Sequence, residues 1–418
     1  MEDSLKQAVE LIHKSPTRIV LHVSGGASHV SAWLLSVPGA SNTVLEVRIP
    51  YDRTAILETI GSELRNSITS FSSTASARAL AQSAYRRAVS LSQPGVRVCG
   101  IAAACALLSS TPKKGDHRAF VVAHSSERVV EYTLRMEKGR RKRYDEEELT
   151  SRFVLQALLD DCEGSPGLMR PDSTVMTDGV SGALSISRHS TMALVRHLLV
   201  SGDQLHGPVV YEHSDCVEAV VRGEIKYAEL TRGVWSREAT HATMIFPGAF
   251  NPLHYGHREL LAVAQSMYPN DTAAFELSVT NVDKPTLEAS VVRSRIQQFH
   301  DDDIILISRA MLFKEKGQLF PNSRFVVGMD TATRIVSGKY YGGETELIKA
   351  LVELKSRGCS FLVAGRLEQR KDGVKSDVFQ TLEDLKPPAG FDDMFEVIPS
   401  SKFRADVSSS EIRRRKER

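Results

Sequence analysis

The chain has 418 residues, with 53 Lys and Arg against 51 Asp and Glu and a formal net charge of +2. Hydrophobic content of 42% and charged content of 25% are globular values, enough for two or three domains that each bury a core. The near balance of charge argues against a general nucleic-acid binder. The five cysteines (Cys99, Cys105, Cys162, Cys216 and Cys359) are scattered, without a Cys-x-x-Cys pair or zinc spacing, which suits free thiols in a reducing compartment. Met1-Glu2-Asp3-Ser4 lacks a basic then apolar signal, and no apolar run approaches the roughly 18 residues of a membrane span. The expectation is a cytoplasmic or nuclear protein with no membrane partner. The basic tail Arg413-Arg414-Arg415-Lys416 reads as an import signal or, more commonly, as a solvated end.

In chain order, residues 1–162 alternate helical and strand-like stretches, as an α/β domain does. Ser24-Gly25-Gly26-Ala27-Ser28 is a Gly-Gly turn before a helix, a candidate phosphate cradle. Ala102-Ala103-Ala104 reads as core packing. Glu163-Gly164-Ser165-Pro166-Gly167 has linker composition, so residues 163–241 are expected as a connecting segment of unassigned role. Residues 242–418 form the last domain.

That domain opens with the most informative stretch of the chain. A short β-favouring run, Ala242 to Phe246, leads into Pro247, Gly248, Ala249, Phe250, Asn251 and Pro252. His254 and His257 follow at i and i+3, and Leu260, Leu261, Ala264 and Met267 continue at helical spacing, so a helix begins near Gly256 or His257. A helix N-terminus offers unpaired N–H groups and a positive dipole end to phosphate oxygens, and imidazoles there can stabilise charge growing on a departing pyrophosphate. A bare His-x-x-His is more often an ordinary surface or metal-binding pair; the strand–turn–helix setting reverses those odds. Near the C-terminus, Ser408 and Glu411 have capping-box spacing, so a second helix starts there. Its hydroxyls and N–H groups can hold phosphate, with Arg413 supplying a fork of donors.

Gly248-Ala249-Phe250-Asn251-Pro252-Leu253-His254-Tyr255-Gly256-His257 resembles the nucleotidyltransferase superfamily with the His-x-Gly-His signature, and within it the nicotinamide or nicotinate mononucleotide adenylyltransferases. Three later stretches agree in order: Phe325 to Asp330 resembles that family's strand ending in Gly-x-Asp, Phe361 to Arg366 its next core strand, and Val407 to Arg413 its closing serine-rich motif. Two departures stand out. Pro247 replaces the usual glycine and removes a backbone donor, and Ala249 removes a hydroxyl. Lys284, after the apolar strand Ala274 to Val279, is either a phosphate contact or a solvated lysine; Arg293 and Arg295 can face either way.

The first part is similar to the C-terminal domain of competence-damage-inducible proteins, a family that includes nicotinamide mononucleotide deamidases. The likeness rests on Ser24 to Ser28, Ser36 to Ser41, Tyr51 and Val98 to Ala102. Ser41 and Tyr51 match that family's serine and tyrosine, but Arg53, Thr54 and Ile56 stand where its lysine belongs, and arginine does not shuttle a proton. Cys99 stands for its threonine, and Ala103 with Ala104 for its Gly-Pro. The domain is therefore expected to be inactive.

The fold class expected is α/β: a Rossmann-like nucleotidyltransferase domain with a parallel sheet, preceded by a second α/β, deamidase-like domain. The resemblance implies adenylyl transfer from ATP to nicotinamide or nicotinate mononucleotide, with Mg2+ held mainly by the ATP phosphates. It casts His254 and His257 as catalytic groups, and Gly248, Ala249, Phe250, Asn251, Asp330, Ser409, Ser410 and Arg413 as nucleotide-binding. Asp330 reads equally as a strand-end turn residue. Both resembled families commonly assemble, so a homo-oligomer is compatible with the sequence. Two other readings stand beside this one: cytidylyl or adenylyl transfer to another phosphorylated small molecule, and a nucleotide sensor that binds without turnover.

Overall fold

The computed structural model describes residues 1–61, 68–111, 114–163, 192–280, 285–369, 375–380, 384–404, 409 and 412, with backbone alone at 162–163, 193, 366–369 and 375–380. The chain divides into two units, Met1–Ser214 and Asp215–Arg418.

The first unit is built on β1 (Arg18–Ser24), β2 (Val44–Arg48), β3 (Val98–Ala106), β4 (His117–His124), β5 (Arg128–Met136) and β6 (Gln204–Glu212), in the spatial order β2-β1-β3-β4-β5-β6. β1 lies parallel to β2 and β3, and the remaining pairs are antiparallel. Helices cover both faces. Asp3–Lys14, His29–Ser36 and Arg143–Glu163 enclose a core of Val9, Ile12, Leu21, Ile101, Leu149 and Phe153. Thr74–Leu91 covers the other face through Ala77, Leu80 and Ala81. That helix starts where the Ser73 hydroxyl accepts the Ser76 N–H, and its alanines give it a low, helix-favouring face. Ala102, Ala103 and Ala104 are fully buried on β3, as core packing requires.

The second unit holds β7 (Tyr227–Thr231), β8 (Val234–Arg237), β9 (Met244–Pro247), β10 (Ala273–Ser278), β11 (Ile305–Ser308), β12 (Arg324–Gly328), β13 (Ser360–Ala364), β14 (Arg366–Gln369), β15 (Lys375–Gln380) and β16 (Phe395–Ile398). Its main sheet has the order β16-β13-β12-β9-β10-β11-β7-β8, and β14 with β15 forms a separate two-stranded ribbon. From β16 through β11 every pairing is parallel; β7 and β8 extend the sheet antiparallel. The chain starts the parallel part at β9, winds outward through β10 and β11, then crosses back to β12, β13 and β16. This is the doubly wound order whose direction reverses between β9 and β12, and ligands of such sheets bind at the carboxyl ends of the strands at that reversal. Alternation on the strands fills two layers. Ile245, Phe325, Val327 and Phe361 face Leu347, Leu351 and Leu354, while Phe246, Phe275, Val326 and Leu362 face Leu260, Leu261 and Ala264.

Residues 163–241, expected as one connecting segment, are shared between the units. β6 completes the first sheet through β5, whereas the helix Cys216–Arg222 and strands β7 and β8 belong to the second, where β7 pairs with β11. The physical reason is long-range pairing, which local composition does not encode. Residues 164–191 lie outside the described residues.

Candidate active site

β9 ends at Pro247, and the turn that follows is bonded on every side. Pro247 lacks an N–H, so the ladder to β10 passes to Gly248, whose N–H donates to the Glu276 carbonyl at 2.9 Å. That N–H is therefore spent in the sheet. Glycine is required here for another reason: a Cβ would stand 2.5 Å from the Phe250 ring. Phe250 has a left-handed φ of 43° and is 1% exposed. Its ring packs edge-on against Phe246, Phe275, Phe299 and His257. The side chain is thus core, and only the main chain of Phe250 can line a pocket. Ala249 offers its carbonyl to Arg295 Nη1 at 3.0 Å, and Asn251 is exposed.

The helix Tyr255–Met267 begins with His254 as its cap. His257 N–H donates to the His254 carbonyl at 3.0 Å, and His254 N–H donates back to His257 Nδ1 at 3.2 Å. The two rings stack with centroids 3.7 Å apart and planes 22° from parallel. Because Nδ1 of His257 accepts, its proton sits on Nε2, making Nε2 the ring's donor. Burial, and secondarily the neighbouring His254, lowers the His257 pKa to about 4; burial also lowers that of His254. Two neutral imidazoles can stack where two cations would repel. Nδ1 of His254 is buried without a hydrogen-bond partner among the described residues.

The sign of the linkage follows. The unfolded ring of His257 takes a proton near its ordinary 6.5 and the folded ring only near 4. Its contribution to stability is thus present above pH 6.5 and lost as pH falls from 6.5 to about 4. A proton-NMR titration of the ligand-free protein is expected to place the His257 midpoint near 4, so kcat/KM should show no step from this ring between pH 6 and 8. A midpoint near 6.5 would refute the half-buried, neutral assignment.

Ser409 joins the turn from the far end of the chain: its hydroxyl donates to the Pro252 carbonyl at 3.0 Å. Ser409 is therefore bonded to the turn that leads into the paired histidines. Asp330 sits in the first turn of the helix Met329–Ile335, directly after β12, the neighbour of β9 across the reversal. It is exposed, in the helix that opens where β12 ends. Ser410, Arg413 and Lys284 lie outside the described residues, as do Ser408 and Glu411. Of the two arginines left open, Arg295 turns to the site loop, while Arg293 pairs with Asp215 and Glu218.

Sequence reading missed the supports. Gln298 bonds the turn twice. Arg258 ties the helix to Asp303 at 2.8 Å. Neither has a local signal, since each meets its partner some 45 positions along the chain. No group of three or more His, Cys, Asp or Glu able to hold a metal occurs among the described residues.

In the first unit, Gly25 (φ 75°) lies so close to β3 that a Cβ would strike the Cys105 carbonyl. The cradle beside it is already filled. Ser28 donates its N–H (2.5 Å) and its hydroxyl (2.7 Å) to one oxygen of Glu147, and Arg143 approaches the other at 3.4 Å. Tyr51 is 69% exposed, and Ser41 is exposed on the short helix Ala40–Thr43.

No helix among the described residues is long and apolar enough to cross a membrane. No curated protein matches the chain. In its N-terminal region the chain is similar to three solved bacterial structures. A competence/damage-inducible protein from Agrobacterium tumefaciens is 15% identical over 37% of this chain and 94% of that one, with TM-score 0.32. A competence-damaged superfamily protein from Klebsiella pneumoniae is 14% identical over 38% and 96%, with TM-score 0.31. Another from Escherichia coli is 15% identical over 38% and 91%, with TM-score 0.30. In the second unit a family model described as cytidylyltransferase-like matches residues 245–415, a span that runs from the last residues of β9 through the histidine turn to the closing serines. Residues 245–415 are a cytidylyltransferase-like domain of the nucleotidyltransferase superfamily.

Proposed function

We propose that this domain transfers an adenylyl group from ATP to nicotinamide or nicotinate mononucleotide, releasing pyrophosphate and a dinucleotide. The observation that supports the reading is the Ser409–Pro252 hydrogen bond, between Ser409 and the turn that leads into the paired histidines. A phosphate oxygen of the mononucleotide attacks the α-phosphorus of ATP; the bond from that phosphorus to the bridging oxygen breaks, and pyrophosphate leaves. The attacking group is already an anion, so no protein nucleophile is needed. The chain's task is positioning and charge stabilisation.

His257 Nε2 and the His254 ring donate to the triphosphate as its negative charge grows. Ser409, with Ser410 and Arg413, grips the β- and γ-phosphates. The main chain of Ala249, Phe250 and Asn251 borders the nucleotide, and Asp330 orients the base or the acceptor from the helix that follows β12. Neutral imidazoles and hydroxyls are donors to phosphate rather than an oxygen cage, and the described residues offer no cluster of metal ligands. These residues fit a magnesium ion carried in by phosphate oxygens, where it would neutralise triphosphate charge.

We further propose that the first unit does not hydrolyse or hold a phosphorylated ligand at its Gly-Gly turn. The Glu147 carboxylate already takes the donors of Ser28 there.

A pyrophosphate-release screen with ATP or CTP against a panel of phosphorylated acceptors tests the assignment. Fastest release is expected for ATP with a pyridine mononucleotide. Release only with CTP, or only with another acceptor, would move the domain to a different substrate of the same superfamily. Measurable ATP binding with no release from any pair would make the protein a sensor.

A further inference from the structure

We infer that Gln298 is the positioning residue of the histidine turn: its side-chain amide bonds both the Phe250 carbonyl and the Leu253 N–H, and so sets where His254 and His257 stand. The kinetic part of this inference rests on the transferase reading; the geometric part does not.

The need for such a residue follows from Phe250. Its ring is drawn into the core by Phe246, Phe275 and Phe299, and its backbone answers with a left-handed φ of 43°. A residue with a Cβ stays there only when its surroundings over-determine it. Gln298 supplies the determination. Nε2 donates to the Phe250 carbonyl at 3.0 Å and to the Arg295 carbonyl at 3.2 Å, while Oε1 accepts the Leu253 N–H at 2.8 Å. One partner is a carbonyl and the other an N–H, so the amide fits in one orientation only. The next residue, Phe299, packs on the Phe250 ring from the same segment.

Gln298 also reaches past the histidines. Its own carbonyl accepts Arg258 Nη2 at 3.4 Å, and Arg258 is fixed in turn by Asp303. One residue thus holds the chain on both sides of His254 and His257. Phe250 then passes the constraint on directly, because its ring meets that of His257 edge-on at 5.2 Å.

The test uses the full chain with Gln298→Met, which keeps length and removes both polar ends, and Gln298→Glu, which keeps the acceptor and loses the donor. Gln297→Met, an exposed neighbour, is the control. Two readouts are taken beside the thermal unfolding curve. The NMR titration midpoint of His257 should rise from about 4 toward the ordinary 6.5 in both Gln298 variants, because the ring leaves its half-buried seat. Turnover should fall about ten- to a hundredfold, the scale of a sub-ångström to ångström displacement, with KM for ATP changing less than about threefold. If wild-type protein releases no pyrophosphate with any acceptor, the transferase reading fails, and the titration alone still decides the role of Gln298. Should Gln298→Met fail to fold, Gln298→Glu decides. An unmoved His257 midpoint in the folded variants would overturn the inference, as would an equal shift in the control.

Discussion

His257→Ala is expected to lower turnover at least about a hundredfold, the scale of losing one electrostatic donor to a transition state. The ring is well placed for that role. Its Nδ1 is committed to the His254 N–H, its proton is therefore on Nε2, and burial keeps it neutral to about pH 4. A neutral donor in a partly water-excluded seat stabilises developing charge without first surrendering a hydration shell. Alanine also removes the acceptor for the His254 N–H, which loosens the helix start at a cost of about 1 kcal/mol. His257→Asn separates the two effects, since an amide oxygen can still accept that N–H. Turnover in the asparagine variant should stay low while thermal stability recovers. An alanine variant with wild-type turnover would take His257 out of the mechanism, and an asparagine variant with restored turnover would make its role one of capping alone.

How much of this was legible in the sequence depends on the range of the interaction that fixes each part. The helix after the turn was readable because Leu260, Leu261 and Ala264 repeat at helical spacing; it runs Tyr255–Met267. The strands around it are readable from short β-favouring runs at Ala242 and Ala274 and from the resemblance at Phe325 and Phe361, which are β9, β10, β12 and β13. That Ser409 and the histidines serve one site is what the family resemblance implies; the bond of Ser409 to Pro252 has no local pattern, because 157 positions separate the partners. The division of residues 163–241 was not legible. β6 and β7 are ordinary β-favouring runs, and which sheet each joins depends on β5 and β11. Phe250 shows a subtler limit. The motif marked it as a site residue, but its chemistry is that of a core aromatic whose backbone is bent to hold a neighbour. The filled cradle of the first unit was equally hidden: the turn reads as an anion site until Glu147, 119 positions away, is seen to occupy it.

The largest effect on stability is expected from Lys316→Met, which should destabilise the second unit by about 3–5 kcal/mol. Lys316 and Glu276 are 4% and 0% exposed, and Nζ lies 2.7 Å from Oε2. Ser308 donates to the other carboxylate oxygen at 2.5 Å, and Nζ also donates to the Ala310 carbonyl at 2.9 Å. Methionine fills much of the lysine volume but leaves a carboxylate in the core with one hydroxyl for company. At about 2–4 °C per kcal/mol for a domain of this size, the midpoint of the second unit's unfolding should fall by about 6–20 °C. Two units need not unfold together, so a probe within the second one is required. Adding Glu276→Leu should recover most of the loss, because exchanging a whole buried ion pair for apolar residues is often neutral. A double variant as unstable as the single one would assign the loss to packing rather than to the stranded charge. A single variant as stable as wild type would mean that the carboxylate protonates or finds water at little cost. The pair also bears on the site: the Glu276 carbonyl accepts the Gly248 N–H, so β10, the strand that the pair anchors, is the one to which the start of the histidine turn is bonded. Turnover of the single variant should therefore fall before its global unfolding begins, as β10 loosens beneath the turn, and the double variant should restore both together.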